Sequence, residues 1–151
     1  MFGRLALSRR RDHSLHMSDT NSLSEQSALD AVSALVTAIE TGDVEGARAV
    51  YDPAVKIWHN NDGLTQTREE NLKTLSELVA VSTDRRYLDI RRFAKDRGDG
   101  RATVAQQHTL RATLVNGRVL ELPASLVIDV IDGRIVGLDE YFDSAAINRR
   151  T

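Results

Sequence analysis

The sequence predicts an α+β domain in which three N-terminal helices cover the concave face of a curved antiparallel sheet. Apolar residues recur with a helical period of about 3.6 as far as Ala80 and with period 2 after Ser82, and helices followed by strands is the α+β order. Ser22 with Glu25, and Thr67 with Glu70, form capping boxes that open helices. Asn116-Gly117 and Asp132-Gly133 are dipeptides that favour two-residue hairpins, because both central residues take positive φ.

The first helix is predicted over Ser24–Glu40, with Ala28, Val32, Leu35, Val36 and Ile39 in one apolar stripe and Thr41-Gly42 as its stop. Asp43 caps a shorter helix that buries Val44, Ala47 and Val50, and Tyr51-Asp52-Pro53 ends it, since the residue before proline is pushed out of helical angles. A short strand, Val55–Asn60, leads into the polar loop Asn61-Asp62-Gly63. The third helix runs from Thr67 to about Ala80 and buries Leu72, Leu75, Leu78 and Val79. Four long strands follow: Arg85–Lys95, Arg101–Val115, Arg118–Ile131 and Arg134–Phe142. Pro123 cannot donate to a ladder, so a bulge or bend is expected there.

Composition narrows the function. The 151 residues carry 20 Lys+Arg against 22 Asp+Glu and no cysteine, which excludes disulfide scaffolds, zinc ribbons and thiol catalysis. No run approaches the ~18 apolar residues of a membrane span, and Leu5-Ala6-Leu7 is too short for a secretory signal, so a cytoplasmic protein without membrane contact is expected. Residues 1–20 read as a leader: a disordered extension, a targeting segment, or sequence ahead of a start at Met17; residues 21–151 form the single domain. Residues 1–16 hold four arginines and one aspartate, so a domain starting at Met17 is more acidic than the whole chain. Arg85-Arg86, Arg91-Arg92 and Arg149-Arg150 are short, separated and offset by acids, so nucleic acid is not an expected partner.

The strand faces point to a site. In Arg118–Ile131 one parity is Leu120, Leu122, Ala124, Leu126, Ile128 and Val130, and it must face the core. In the preceding strand Gln106 and His108 share the inward parity of Val104, Leu110, Ala112 and Leu114. In the last strand Glu140 shares the parity of Val136, Leu138 and Phe142. Burying a neutral polar group without a partner costs roughly 1–3 kcal/mol, and a charge more, so these groups should meet one another or line a wet cavity. One inward histidine is more often a hydrogen-bonded core residue than a catalyst. The coincidence of Gln106, His108 and Glu140 on one small sheet is what points to a pocket. Trp58 and Asn60 share a parity and are candidates to look into it, though parity alone leaves their face open.

Helix, helix, a short strand with Trp58-His59-Asn60, a third helix and a long-stranded meander ending Asp139-Glu140-Tyr141-Phe142-Asp143 resemble the nuclear transport factor 2-like superfamily in its SnoaL-like branch, over about residues 25–147. The resemblance implies a cone-shaped α+β barrel whose open end admits a small apolar molecule. Members include polyketide cyclases, ketosteroid isomerase, scytalone dehydratase and limonene-1,2-epoxide hydrolase, beside members that only bind or assemble. Gly133–Asp143 is most similar to the end of the epoxide hydrolase, which implies a general-base role for Glu140 and a water-holding role for Asn60. That enzyme's Arg and second Asp fall on Gln106 and His108, and its Tyr on Trp58, none of which matches.

The expected site therefore has Glu140, His108 and Asn60 as catalytic groups, with Trp58, Gln106, Leu75, Leu122, Leu126, Leu138 and Phe142 around the substrate. His108 and Glu140 are expected to share a proton near neutral pH. No cofactor is implied and no metal, because His13 and His16 lie in the leader and His59 has parity opposite to Asn60. The alternative is a ligand-binding or dimerisation module. A homodimer is expected through the outer face of the meander, where Thr103, Ala105, Gln107, Thr109 and Thr113 carry little charge beyond Arg111.

Overall fold

A computed structural model describes residues 21–148; the leader lies outside them. The elements are α1 (Leu23–Thr41), α2 (Val44–Val50), β1 (Tyr51–His59), β2 (Thr65–Gln66), α3 (Arg68–Val81), β3 (Ser82–Gly98), β4 (Arg101–Leu114), β5 (Val119–Ile131), β6 (Arg134–Phe142) and a 3-10 helix at Ser144–Asn148. The first capping box forms as read, with Ser22 Oγ accepting from Glu25 N–H while the Glu25 carboxylate takes the Ser22 N–H; at the second, Thr67 Oγ1 accepts from Glu70 N–H, but the Glu70 carboxylate takes the Thr67 hydroxyl rather than its backbone N–H. Gly42 closes α1 at φ 73°, a left-handed cap that leaves Asp43 N–H to bond the Ala38 carbonyl.

The sheet is six-stranded, mixed and unclosed, in the order β2-β1-β6-β5-β4-β3. It departs from the antiparallel expectation at one seam, where β1 runs parallel to β6 with Ile57 opposite Leu138 and His59 opposite Glu140. Parallel partners are joined only by long crossovers, so no local turn announced this pairing. Asp52 and Pro53 lie inside β1 because helix α2 ends at Val50 and the chain extends from Tyr51.

The hairpins differ in kind. Asp132 (φ 48°) and Gly133 (φ 78°) make the expected two-residue turn. At Asn116-Gly117 only Gly117 has positive φ (85°); Gly117 N–H bonds Leu114 O, and Leu114 N–H bonds Arg118 O across a three-residue loop. The expected irregularity at Pro123 is absent: Thr109 pairs with Pro123 within an unbroken β4–β5 register. Pro123 turns its carbonyl to Asp143 N–H, beyond the end of β6, so its missing donor is not needed by β4. The β5–β6 irregularity falls instead between Asp129 and Val130, where β6 carries an extra residue and turns Ile135 inward rather than Val136.

The core lies between α1, α2, α3 and the inward face of the sheet. Val32, Val104, Ile128 and Ile135 are fully buried there, each worth roughly 1.5–3 kcal/mol of transfer free energy. Arg85 is buried as well, and its guanidinium bonds Ile39 O, Glu40 O, Ser82 O and Ser82 Oγ, so it closes the C-terminal end of α1.

Candidate functional site

Ladder registers place side chains in transverse rows across the inward face. The row Ala94–Val104–Ile128–Leu138–Ile57 is apolar and forms a closed base. The next row is Arg92–Gln106–Leu126–Glu140–His59, which is apolar only in the middle. The row beyond it holds His108, Ala124 and Phe142. Arg92 joins this face because β3 breaks register between Leu88 and Arg91, where Asp89 takes φ 54°. The break lets Arg85 and Tyr87 face inward before it and Arg92 and Ala94 after it.

Gln106 and His108 do meet. Arg92 Nε donates to Gln106 Oε1 at 2.7 Å, Gln106 Nε2 lies 3.0 Å from His108 Nδ1, and Arg92 Nη1 donates to Ser33 Oγ of α1 at 2.7 Å. Tyr87 packs on the His108 ring with centroids 4.5 Å apart. Burial, aided by the Arg92 charge, pushes the His108 pKa down to about 4, so the imidazole is neutral at pH 7. It is not the protonated partner expected for Glu140.

Glu140 sits one row over, beside a different histidine. Burial pushes its pKa up to about 7, although its side chain keeps 28% exposure. His59 Nε2 lies 4.0 Å from Glu140 Oε1, too far for a hydrogen bond, and burial lowers the His59 pKa against the opposing pull of Asp62. Two tyrosines that sequence reasoning missed complete the surroundings. Burial, with the Glu140 charge adding to it, raises the pKa of both Tyr51 and Tyr87, so both phenols stay protonated. Tyr51 Oη donates to the buried Asn71 Oδ1 at 3.0 Å, and Asn71 Nδ2 donates to Gln66. Tyr51 was hidden as the residue ending a helix, and the helix-to-strand change directly there is the signal that could have found it; Tyr87 shares the inward parity of Arg85, ahead of the register break.

Trp58 takes the other face, and Asn60 turns to the backbone of β6. Val55 and Ile57 are buried inward, which turns Trp58 outward onto Tyr141 with ring centroids 5.1 Å apart. The Asn60 amide is committed to the Phe142 backbone, with Nδ2 donating to its carbonyl and Oδ1 accepting its N–H, both at 3.1 Å. Of the apolar candidates, Leu126 and Leu138 are buried, Leu122 and Phe142 are half-buried, and Leu75 packs from α3 onto the core. A recess of about 520 Å³ is lined by Asn60, His108, Ala124 and Phe142 together with Arg91, Gln107, Ser125 and Tyr141; Glu140 is not part of its lining. Another of about 400 Å³ lies beside Trp58. Among the described residues no cluster of His, Asp and Glu has metal-holding geometry, and no helix is long and apolar enough to cross a membrane.

A curved, unclosed, mixed six-stranded sheet wrapped on three helices is the architecture of the nuclear transport factor 2-like class of α+β cones. The profile of the SnoaL-like domain matches residues 32–138, and the chain belongs to that family. No match was found among curated proteins. Solved structures share the fold at low identity. PrhC from Penicillium brasilianum superposes with TM-score 0.72 at 13% identity, covering 83% of this chain and 85% of its own. A polyketide cyclase-like protein from Xanthomonas campestris gives 0.68 at 22%, covering 80% and 93%. An LEH-like epoxide hydrolase of M. tuberculosis gives 0.64 at 16%, covering 82% and 88%.

Proposed function

We propose that the chain is a cofactor-independent enzyme that applies general acid/base chemistry to a small, mostly apolar, polyketide-like molecule inside the cone, in the cytoplasm. The observation that carries this reading is Glu140, an inward carboxyl with a pKa near 7 above an apolar base. At neutral pH such a group is ionised often enough to take a proton and protonated often enough to return it. Proton transfer next to a carbonyl, as in isomerisation, cyclisation or dehydration, fits better than hydrolysis. Asn60, the amide expected to hold a water, has both its amide nitrogen and its oxygen bound to the Phe142 backbone.

The test is exchange in deuterated water. Apolar cyclic ketones and 1,3-dicarbonyl compounds should gain deuterium at the carbon beside the carbonyl, and Glu140→Gln should lose about 100-fold or more of that rate while its circular dichroism is unchanged. Binding without exchange across the panel would favour the rival reading, a ligand-binding or assembly module. That rival draws support from the exposed Phe93 and Val127, which flank Ala105 in one outward row. The same row suits a homodimer, which light scattering on the intact chain should detect and Phe93→Ser should weaken; a monomer at micromolar concentration refutes it.

A further inference from the structure

His108 is held by a hydrogen-bond relay whose direction is set at its far end. Arg92 Nε can only donate, so the Gln106 atom that meets it must be the carbonyl Oε1. The amide nitrogen Nε2 then faces His108 Nδ1 at 3.0 Å and donates to it. A neutral imidazole that accepts at Nδ1 carries its proton on Nε2. Among the described residues Nε2 has no hydrogen-bond partner, yet none of their buried side-chain nitrogens or oxygens lacks one, so the Nε2–H reaches open space. Arg92 is half-buried and, among the described residues, forms no ion pair, so no carboxylate offsets its charge.

We propose that His108 acts as a neutral hydrogen-bond donor through Nε2–H toward a substrate oxygen on which negative charge builds, and that Arg92, acting through Gln106, is the positioning residue that sets this state. The proposal rests on the reading of the cone as a proton-transfer site and names its substrate class, an enolisable carbonyl compound. Glu140 takes the proton from carbon, the C–H electron pair moves into the forming C=C bond, and the carbonyl π pair moves to oxygen, which accepts from Nε2–H. Return of the proton from Glu140 to that carbon, as the oxygen pair re-forms C=O, restores the carbonyl compound and ionised Glu140; where a β,γ double bond is conjugated with the enolate, return to the γ carbon, with the C=C shifting to the α,β position, completes an isomerisation.

The surroundings agree with a neutral ring. From β3 it faces Tyr87 and Arg92, from β4 Gln106, and along its own row Ala124 and Phe142, with Glu140 one row away. The nearby acid of α1, Glu40, accepts the Tyr87 N–H.

The experiment is 15N NMR of the full chain labelled at histidine, with the His108 signal identified by its loss in His108→Gln. The intact chain should show the Nε2–H form and stay neutral down to about pH 5. Gln106→Glu, which replaces the donor with a carboxylate, should move the proton to Nδ1 and raise the pKa by about one unit or more. Arg92→Gln should also raise it, and Arg92→Lys should restore the low value, which a merely structural arginine would not do. An Nδ1–H form in the intact chain, or titration near pH 6.5, overturns the proposal whether or not the variants fold. These readings use no substrate, so they stand or fall separately from the exchange test of Glu140.

Discussion

Replacing Glu140 with glutamine should change the pH dependence of folding in a direction opposite to that of an ordinary carboxylate. The folded chain holds the Glu140 proton more tightly than the unfolded chain, with a pKa raised from 4.5 to about 7. The group therefore favours folding below pH 4.5, and that contribution is lost as pH rises through about 7. Each unit of pKa displacement corresponds to about 1.4 kcal/mol, so ionised Glu140 costs roughly 3 kcal/mol at pH 8 and less than roughly 1 kcal/mol at pH 5. Its partial exposure makes these upper values. Glutamine keeps the shape without the charge. Urea unfolding at pH 5 and at pH 8 should show Glu140→Gln gaining on the parent by roughly 2 kcal/mol between the two. A stability difference that stays constant across that range would refute the reasoning, because it would mean that Glu140 titrates as it does in the unfolded chain.

Three further substitutions test the frame around the site. Arg85→Met should cost about 3 kcal/mol in denaturant unfolding, because the Ile39 and Glu40 carbonyls at the end of α1 lose their buried donor. Ser22→Ala should cost about 1 kcal/mol by removing the acceptor for Glu25 N–H, again read by urea unfolding. Pro123→Val should lie within about 0.5 kcal/mol of the parent in thermal or urea melts, since the proline nitrogen owes no bond to β4.

Much of the fold was legible because its signals are local. Capping boxes, the Asp132-Gly133 turn and the period-2 faces of β4 and β5 depend on residues within a few positions of one another. The inward Gln106, His108 and Glu140 were legible for the same reason: each stands among apolar residues of its own strand. What escaped depends on distant partners or on broken period. The strand β2 is two residues long and exists only through its pairing with Ile57 and Trp58. The face of β1 was undecidable from parity, and only its seam with β6 turns His59 inward and Trp58 outward. The Asp89 irregularity in β3 resets the alternation, so Tyr87 and Arg92 share a face that an unbroken count would have separated.

That seam has a consequence for the order in which the protein assembles. β1 is completed at His59, whereas its parallel partner ends at Phe142, and the Asn60 amide clasps the Phe142 backbone across a separation of 82 residues. Closing so long a loop carries an entropic cost that the β3–β4–β5 meander, with its short turns, does not face. During synthesis β1 emerges early and must wait, with Ile57 uncovered, until the end of the chain arrives. The contact of His59 with Glu140 is thus formed among the last, and a chain cut short before β6 would keep most of its hairpins while lacking the carboxyl to which the proposed chemistry is assigned.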